Sequence, residues 1–318
     1  MVFLEFLQSL LGIGFAGRPE SGDRGGTRYP KTPEILDIRL MITILVTGAT
    51  DGIGLATARA LAALGHRVLM HGRSATKAQT AVQTVRAAAG KGEVRFLQAD
   101  FASLAQVRGL AAELESLPRL DVLINNAGCI NLSRGVTADG FETTFAVNHL
   151  APFLLTHLLL RKIRASAPAR IVNVASSAHR GQNIDFDDLM STRDYRMMRT
   201  YGRSKLANIL FTRALAKRLA GSGVTANALH PGMVATHLGQ DNWLKRVLGR
   251  AFLAVAGVPT TEGAKTSVYL ATAAEVEGVS GGYYAECRPA PLAAAAGALD
   301  DATAERLWAV SEELAGLR

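Results

Sequence analysis

The chain is poor in cysteine and in charge, and it has no long uninterrupted apolar run. Two cysteines in 318 residues, Cys129 and Cys287, cannot build a disulfide framework, which fits a reducing compartment. Charged residues make up 19% of the chain, below the roughly 25% of ordinary soluble domains. No stretch reaches the ~20 apolar residues that a membrane-spanning helix needs. Met1–Gly17 comes nearest, but it contains Glu5 and Gln8, and no basic segment precedes it as a secretory signal would require. Basic residues never run five together. The net charge of +8 is therefore read as solvated helix faces, at pairs such as Arg161–Lys162, Lys217–Arg218 and Lys245–Arg246, and not as a nucleic-acid surface. A hydrophobic content of 48% excludes intrinsic disorder and a fibrous protein. Length alone leaves one or two domains open.

Residues 18–39 are rich in Gly, Pro and Arg and read as a linker, and Met41 opens a strand pattern at once. The folded domain is expected to run from about residue 41 to 318. Residues 1–40 are expected to be a loose tail, a peripheral anchor or an upstream mis-start. From Met41 onward short β-branched apolar runs alternate with helical patterns. Strands are expected at Ile42–Thr47, Arg67–His71, Glu93–Gln98, Asp121–Asn125, Arg170–Val174 and Val224–Leu229. Helices are expected through Leu64 and over Ala75–Ala89, Leu104–Leu117, Phe141–Ala165 and Tyr201–Ala220. That rhythm argues for one α/β domain with a doubly wound, mostly parallel sheet of about seven strands.

Between the first strand and first helix stands Thr47–Gly54, TGATDGIG. Gly48, Gly52 and Gly54 permit a tight turn and let backbone amides approach a pyrophosphate at a helix N-terminus. The spacing is G-x-x-x-G-x-G, not the commoner G-x-G-x-x-G, and a tight βα turn wants glycine whatever it binds. Its place after the first strand of a parallel sheet favours the nucleotide reading. Nineteen residues past Gly54 stands Arg73, in His71-Gly72-Arg73-Ser74, with no acidic residue nearby. An arginine there accommodates a 2′-phosphate, whereas an acidic residue would bind the ribose 2′-hydroxyl. NADP(H) is thus expected over NAD(H), against the bland reading that Arg73 only closes a loop.

Tyr201 and Lys205 lie at i, i+4 on one helix face. A free phenol, with a pKa near 10, is a poor acid or base at neutral pH, and a neighbouring ammonium favours phenolate. Lowering it by three units corresponds to roughly 4 kcal/mol and would suit it to proton transfer. Alone, such a pair is usually a solvated helix face. Here Ser176 and Ser177 follow the fifth strand, at the carboxyl edge where open α/β sheets bind ligands. Asn125–Gly128 ends the fourth strand, and Asn148 lies within the following helix. Pro231–Thr236 ends the sixth strand.

Taken together and in order, TGATDGIG, HGRS, NNAG, Asn148, VNVASSAH, YGRSKLANILFTRALAKRL, HPGMVATHL and SGGYYAEC…LWAVSEEL resemble the short-chain dehydrogenase/reductase superfamily, and its retinol-dehydrogenase-like branch in particular. The resemblance covers about Met41 to Leu317 and implies a Rossmann-type fold and NADP(H)-dependent oxidoreduction of an alcohol, aldehyde or ketone. By it, the catalytic tetrad is Asn148, Ser177, Tyr201 and Lys205, with Ser177 and not Ser176 as the catalytic serine. It makes Tyr201 the proton-exchanging group. Lys205 lowers the phenol's pKa and holds the nicotinamide ribose, Ser177 orients the substrate oxygen, and Asn148 anchors a water leading to Lys205. Thr47, Gly48, Gly52, Ile53, Gly54, Arg73, Asn126, Ala127, Gly128, Pro231 and Gly232 join the cofactor set. Asp100 would meet the adenine and Thr236 the nicotinamide amide. No metal site is assigned. Asp51 departs from the small or basic residue common at its place and is expected to contribute nothing to phosphate binding.

The loop of residues 233–259, with Trp243, Leu244, Val247, Leu248, Phe252 and Leu253, is apolar and helix-patterned. It reads either as a core-facing helix or as a substrate lid or membrane-dipping element, and with the family resemblance it favours a lipophilic alcohol or carbonyl. A cytoplasmic protein is expected, with peripheral membrane contact and the choice of monomer or homodimer left open. The competing reading is a sensor or scaffold of the same fold that binds NADP(H) without turnover.

Overall fold

The computed structural model describes residues 41–90, 92–232, 259–292 and 300–318. Its centre is a sheet whose inner strands read as continuous β-branched and aliphatic runs because both faces are covered. Strands β1 (Thr43–Val46), β4 (Val122–Asn125) and β6 (Val224–Leu229) are buried along their whole length. With β2 (Arg67–Gly72), β3 (Val94–Gln98), β5 (Ala169–Val174), β7 (Tyr283–Ala285) and β8 (Arg288–Pro289) they form an eight-stranded sheet in the order β3-β2-β1-β4-β5-β6-β7-β8. All pairings are parallel except β7 with β8. The expected count of about seven strands thus becomes eight. The last strand is two exposed residues with a proline, an edge element too short to carry any periodicity.

Helix α1 (Gly52–Ala63) follows β1, α2 (Ala75–Arg86) follows β2, and α3 (Leu104–Glu115) follows β3. The helix α4 spans Thr143–Ala165 and α5 spans Met197–Arg218. Helices α6 (Thr260–Thr272) and α7 (Asp301–Leu314) complete the set. Starts are fixed by side-chain caps: Ser74 accepts from Lys77 N, Ser103 from Gln106 N, and Asp300 from the amides of Ala302 and Thr303. The side chains of α3, α4, α5 and α7 pack on one face of the sheet against Leu45, Leu69, Leu123, Ile171 and Ala226. The alternate residues of the same strands, such as Ile44, Val46, Ile124 and Val172, are equally buried, and α1 packs against α6.

Among the described residues α4 is one helix long and apolar enough, by length and composition, to cross a membrane. Its Phe153, Leu154, Leu155, Leu159 and Ile163 lie in the core, which accounts for that composition. Between β1 and β4 the order of strands reverses. The carboxyl ends of these two strands therefore open a crevice, and the Gly-rich turn and the Asn125–Gly128 segment sit at its two sides.

Candidate active site

The turn after β1 is built by its glycines. Gly48 and Gly52 have φ of +65° and +56°, a region L-residues avoid. A Cβ on Gly54 would stand 2.1 Å from the Gly48 carbonyl oxygen. The first helical amides of α1, including those of Ile53 and Gly54, have no intrahelical partner by helix geometry. Asp51 caps this end by accepting from Gly52 N at 2.7 Å, so its carboxylate already holds one of the amides that would otherwise face an anion. Thr47 and Asn126 lock this turn to the end of β4. Thr47 Oγ1 accepts from the amides of Asn126 (2.9 Å) and Ala127 (3.0 Å), and Asn126 Nδ2 donates to the Thr47 carbonyl at 2.8 Å.

Sequence reasoning missed His71. Gly48 N–H donates to His71 Nδ1 at 3.3 Å, and Nε2–H donates to the Ala99 carbonyl at 3.0 Å, which together fix one neutral tautomer. Its ring stacks on Phe101 with centroids 4.2 Å apart. Burial pushes its pKa down to about 4. The signal was present in the sequence, as a histidine at the end of a buried strand beside a Gly-rich turn. Asp100 lies near it, with Oδ1 accepting from Ala102 N at 2.9 Å. Arg73 is exposed, and its carbonyl accepts from Gln98 Nε2.

At the other side of the crevice, α5 carries Tyr201 and Lys205 against the segment that leaves β5. Gly202 makes that approach feasible: a Cβ there would lie 2.4 Å from the Ala178 carbonyl oxygen. This residue too escaped the sequence reading, since a glycine inside a helix pattern marks close approach only once its neighbour is known. Lys205 Nζ is buried and donates to the Val174 carbonyl at 2.9 Å, and it lies 5.7 Å from the centroid of the Tyr201 ring. Asn148 is fully buried, not solvent-facing as a mid-helix asparagine usually is. Its Oδ1 accepts from Cys129 N (2.7 Å), and Nδ2 donates to the Cys129 carbonyl and to Ser204 Oγ, both at 2.9 Å. Gly128 separates it from Lys205: a Cβ on Gly128 would stand 3.2 Å from Asn148 Oδ1 and 3.4 Å from Lys205 Nζ.

Ser176 and Ser177 both follow β5 beside α5, and it is the Ser176 side chain that acts on the Tyr201 phenol. Ser176 keeps the extended backbone of the strand it follows (φ −162°, ψ 152°), and its side chain caps the short turn Ser177–His179 by accepting from Ala178 N. Ser177 is the first residue inside that turn. His179, fully buried, holds the turn by donating from Nδ1 to the Ser176 carbonyl at 2.7 Å.

Protonation states also differ from the expectation that Lys205 lowers the phenol. Burial holds Tyr201 above the usual phenol value and brings Lys205 down to about 8. The Cys129 thiol is near enough to act on both. Pro231 and Gly232 end the described part of the segment after β6, with Gly232 N donating to His230 Nδ1 at 3.1 Å. Thr236 and all of the expected substrate loop except Pro259 lie outside the described residues.

Buried Lys205 and Asn148, with the partly buried Tyr201 and the serine pair, thus lie across a crevice from a glycine-lined helix start, an arrangement suited to nucleotide-dependent redox chemistry. The sequence profile of the short chain dehydrogenases matches residues 42–246, and the chain belongs to that family. It is similar to human retinol dehydrogenase 14, with 45% identity over 292 residues, covering 86% of each chain. Human retinol dehydrogenase 13 is 44% identical over 286 residues, covering 86% of this chain and 85% of that one. Among solved structures, an uncharacterised protein from Mycobacterium paratuberculosis superposes with a TM-score of 0.69 at 32% identity, covering 86% of this chain and 93% of that one. A candidate NAD(P)-dependent gluconate 5-dehydrogenase from Beutenbergia cavernae, solved with NADP bound at low occupancy, gives 0.61 at 31% identity, covering 78% and 96%. The protein is thus a retinol-dehydrogenase-like oxidoreductase of the short-chain family.

Proposed function

We propose that the protein transfers a hydride between NADP(H) and a lipophilic alcohol or carbonyl, with Tyr201 as the acid or base and Ser176 as the group that orients the substrate oxygen. The observation that carries this reading is the meeting of the Tyr201 phenol with the Ser176 hydroxyl beside the buried Lys205 ammonium. The names of the relatives support a lipophilic substrate, and the catalytic domain is taken to begin near Met41. The glycine-lined turn suits a dinucleotide: the close packing at Gly48 and Gly54, where a Cβ would meet Ala127 and the Gly48 carbonyl, holds the turn tight before the first amides of α1. When bound, the nicotinamide supplies or accepts the hydride. The amides of Ile53 and Gly54 would hold the pyrophosphate, Arg73 a 2′-phosphate, and Lys205 a ribose hydroxyl.

The chain's own groups favour carbonyl reduction at neutral pH. A phenol held above its ordinary value stays protonated and serves as a donor to the substrate oxygen, and Lys205, at about 8, is the adjacent charged group that supports the phenolate left behind. Alcohol oxidation needs the phenolate first and is expected to speed up as pH rises. The test is NADPH consumption with aldehydes, ketones and quinones, and NADP+ reduction with lipophilic alcohols. Turnover with none of them would leave the sensor reading.

Two substitutions probe the parts. Ser176→Ala is expected to lower kcat about 100-fold, as loss of an oriented hydrogen-bond donor does, while Ser177→Ala stays near the parent rate. Steady-state kinetics on both variants decides, and the reverse order would restore Ser177. Arg73→Ala is expected to weaken NADPH binding roughly 10- to 100-fold, the worth of a charge-assisted hydrogen bond, and to leave NADH binding nearly unchanged. Fluorescence titration reads both, and equal losses would remove Arg73 as the 2′-phosphate group.

A further inference from the structure

The helix α4 does not run as a regular α-helix into the site. Residues Ala146–Leu150 form a π-helical turn, a local widening that occurs mostly where function requires it. Two consecutive residues of that turn do different work. Asn148 grips both backbone groups of Cys129 and the hydroxyl of Ser204, the residue before Lys205. His149, also fully buried, points its Nε2 at Ser311 Oγ, 2.8 Å away on the C-terminal helix α7. Its ring is enclosed by Phe145, Phe153 and Phe211, with centroids 5.1, 6.0 and 6.2 Å away. Ser311 is itself fully buried. A polar pair sealed among aromatic rings is costly unless its hydrogen bond is made, so the pair specifies one arrangement of the turn.

We propose that His149 and Ser311 are a positioning pair: they fix the π-turn of α4 so that Asn148 holds the Cys129 backbone and the Lys205 end of α5 in place, which makes α7 a working part of the active site. α7 docks independently at its other end, where Asp301 pairs with Arg213 (3.0 Å) and Lys217 (2.7 Å). Ten residues separate Asp301 from Ser311, about 15 Å along the helix, so the two attachments can be broken one at a time.

The inference rests on the proposed reductase activity for one of its two readouts, and the other is independent of it. Ser311→Ala is expected to lower kcat about tenfold while the KM for NADPH stays within about twofold. In the same variant the Cys129 amide, which donates to Asn148, is expected to exchange its hydrogen about ten times faster. Asp301→Ala, which loosens α7 without touching His149, is expected to change neither. The inference is overturned if Ser311→Ala leaves Cys129 exchange at the parent rate, or if Asp301→Ala accelerates it equally. If the parent shows no turnover, the proposed function fails and the exchange comparison still decides this point.

Discussion

Tyr201→Phe is expected to lower kcat for carbonyl reduction by about a thousandfold, within the 10²–10⁴ range of a positioned general acid, with KM for NADPH little changed. The substitution removes one oxygen and leaves the ring that packs beside Lys205. The proton that should reach the substrate oxygen has no other source at that place: Ser176 is a far weaker acid, and Lys205 donates to the Val174 carbonyl. The parent's pH profile gives a second check. Lys205 is brought down to about 8 by its burial, so reduction is expected to hold through neutral pH and to fall above that value as the ammonium loses its proton. Stopped-flow hydride transfer at pH 7 and 9 reads both. A Tyr201→Phe variant that keeps a tenth of the parent rate would place the proton donor elsewhere.

What was legible in the sequence, and what was not, follows from the range of each signal. Strand β6 matched its expected limits because a short, mostly small and apolar run bounded by Gly223 and by His230–Pro231 reads as a buried strand. The i, i+4 spacing of Tyr201 and Lys205 is local, and a helix turns it into adjacency wherever it lies. The identity of the serine beside Tyr201 is not local. It depends on how the chain turns after β5, where Ser176 caps the short turn that begins at Ser177. Asn148 was named through the family resemblance. Its burial required the π-turn, which no periodicity announces. Gly202 and His71 became visible only with Ala178, Ala99 and Phe101 beside them, all contacts between separate elements. The eighth strand was lost for the opposite reason, since two exposed edge residues bury nothing that could shape their composition.

Folded stability is expected to drop steeply between pH 6.5 and 4, for reasons that lie in the same buried histidines. His71 and His149 each titrate at about 4 in the folded chain, because burial disfavours the charged ring, against about 6.5 when unfolded. Above pH 6.5 both states are neutral at these sites and nothing is gained or lost. Below it the unfolded chain binds protons that the folded chain refuses, so stability falls with pH until the folded rings protonate near 4. The loss comes to roughly 2 kcal/mol for each histidine by pH 5 and about 3 kcal/mol by pH 4. His157, His179 and His230 are shifted downward as well, also mainly by burial, and act in the same sense. Set against a total of about 5–15 kcal/mol for a domain, two such rings consume a large share before most carboxylates have titrated. Urea unfolding at pH 7, 6 and 5 measures the slope, and His149→Gln is expected to remove its own share of the loss, roughly 2 kcal/mol by pH 5. Stability that stays flat from pH 7 to 5 would mean that both rings reach water and protonate within the native fold. The tautomer lock of His71 between Gly48 and Ala99 would then not survive in solution, and the glycine-lined turn it supports would lose its fixed geometry.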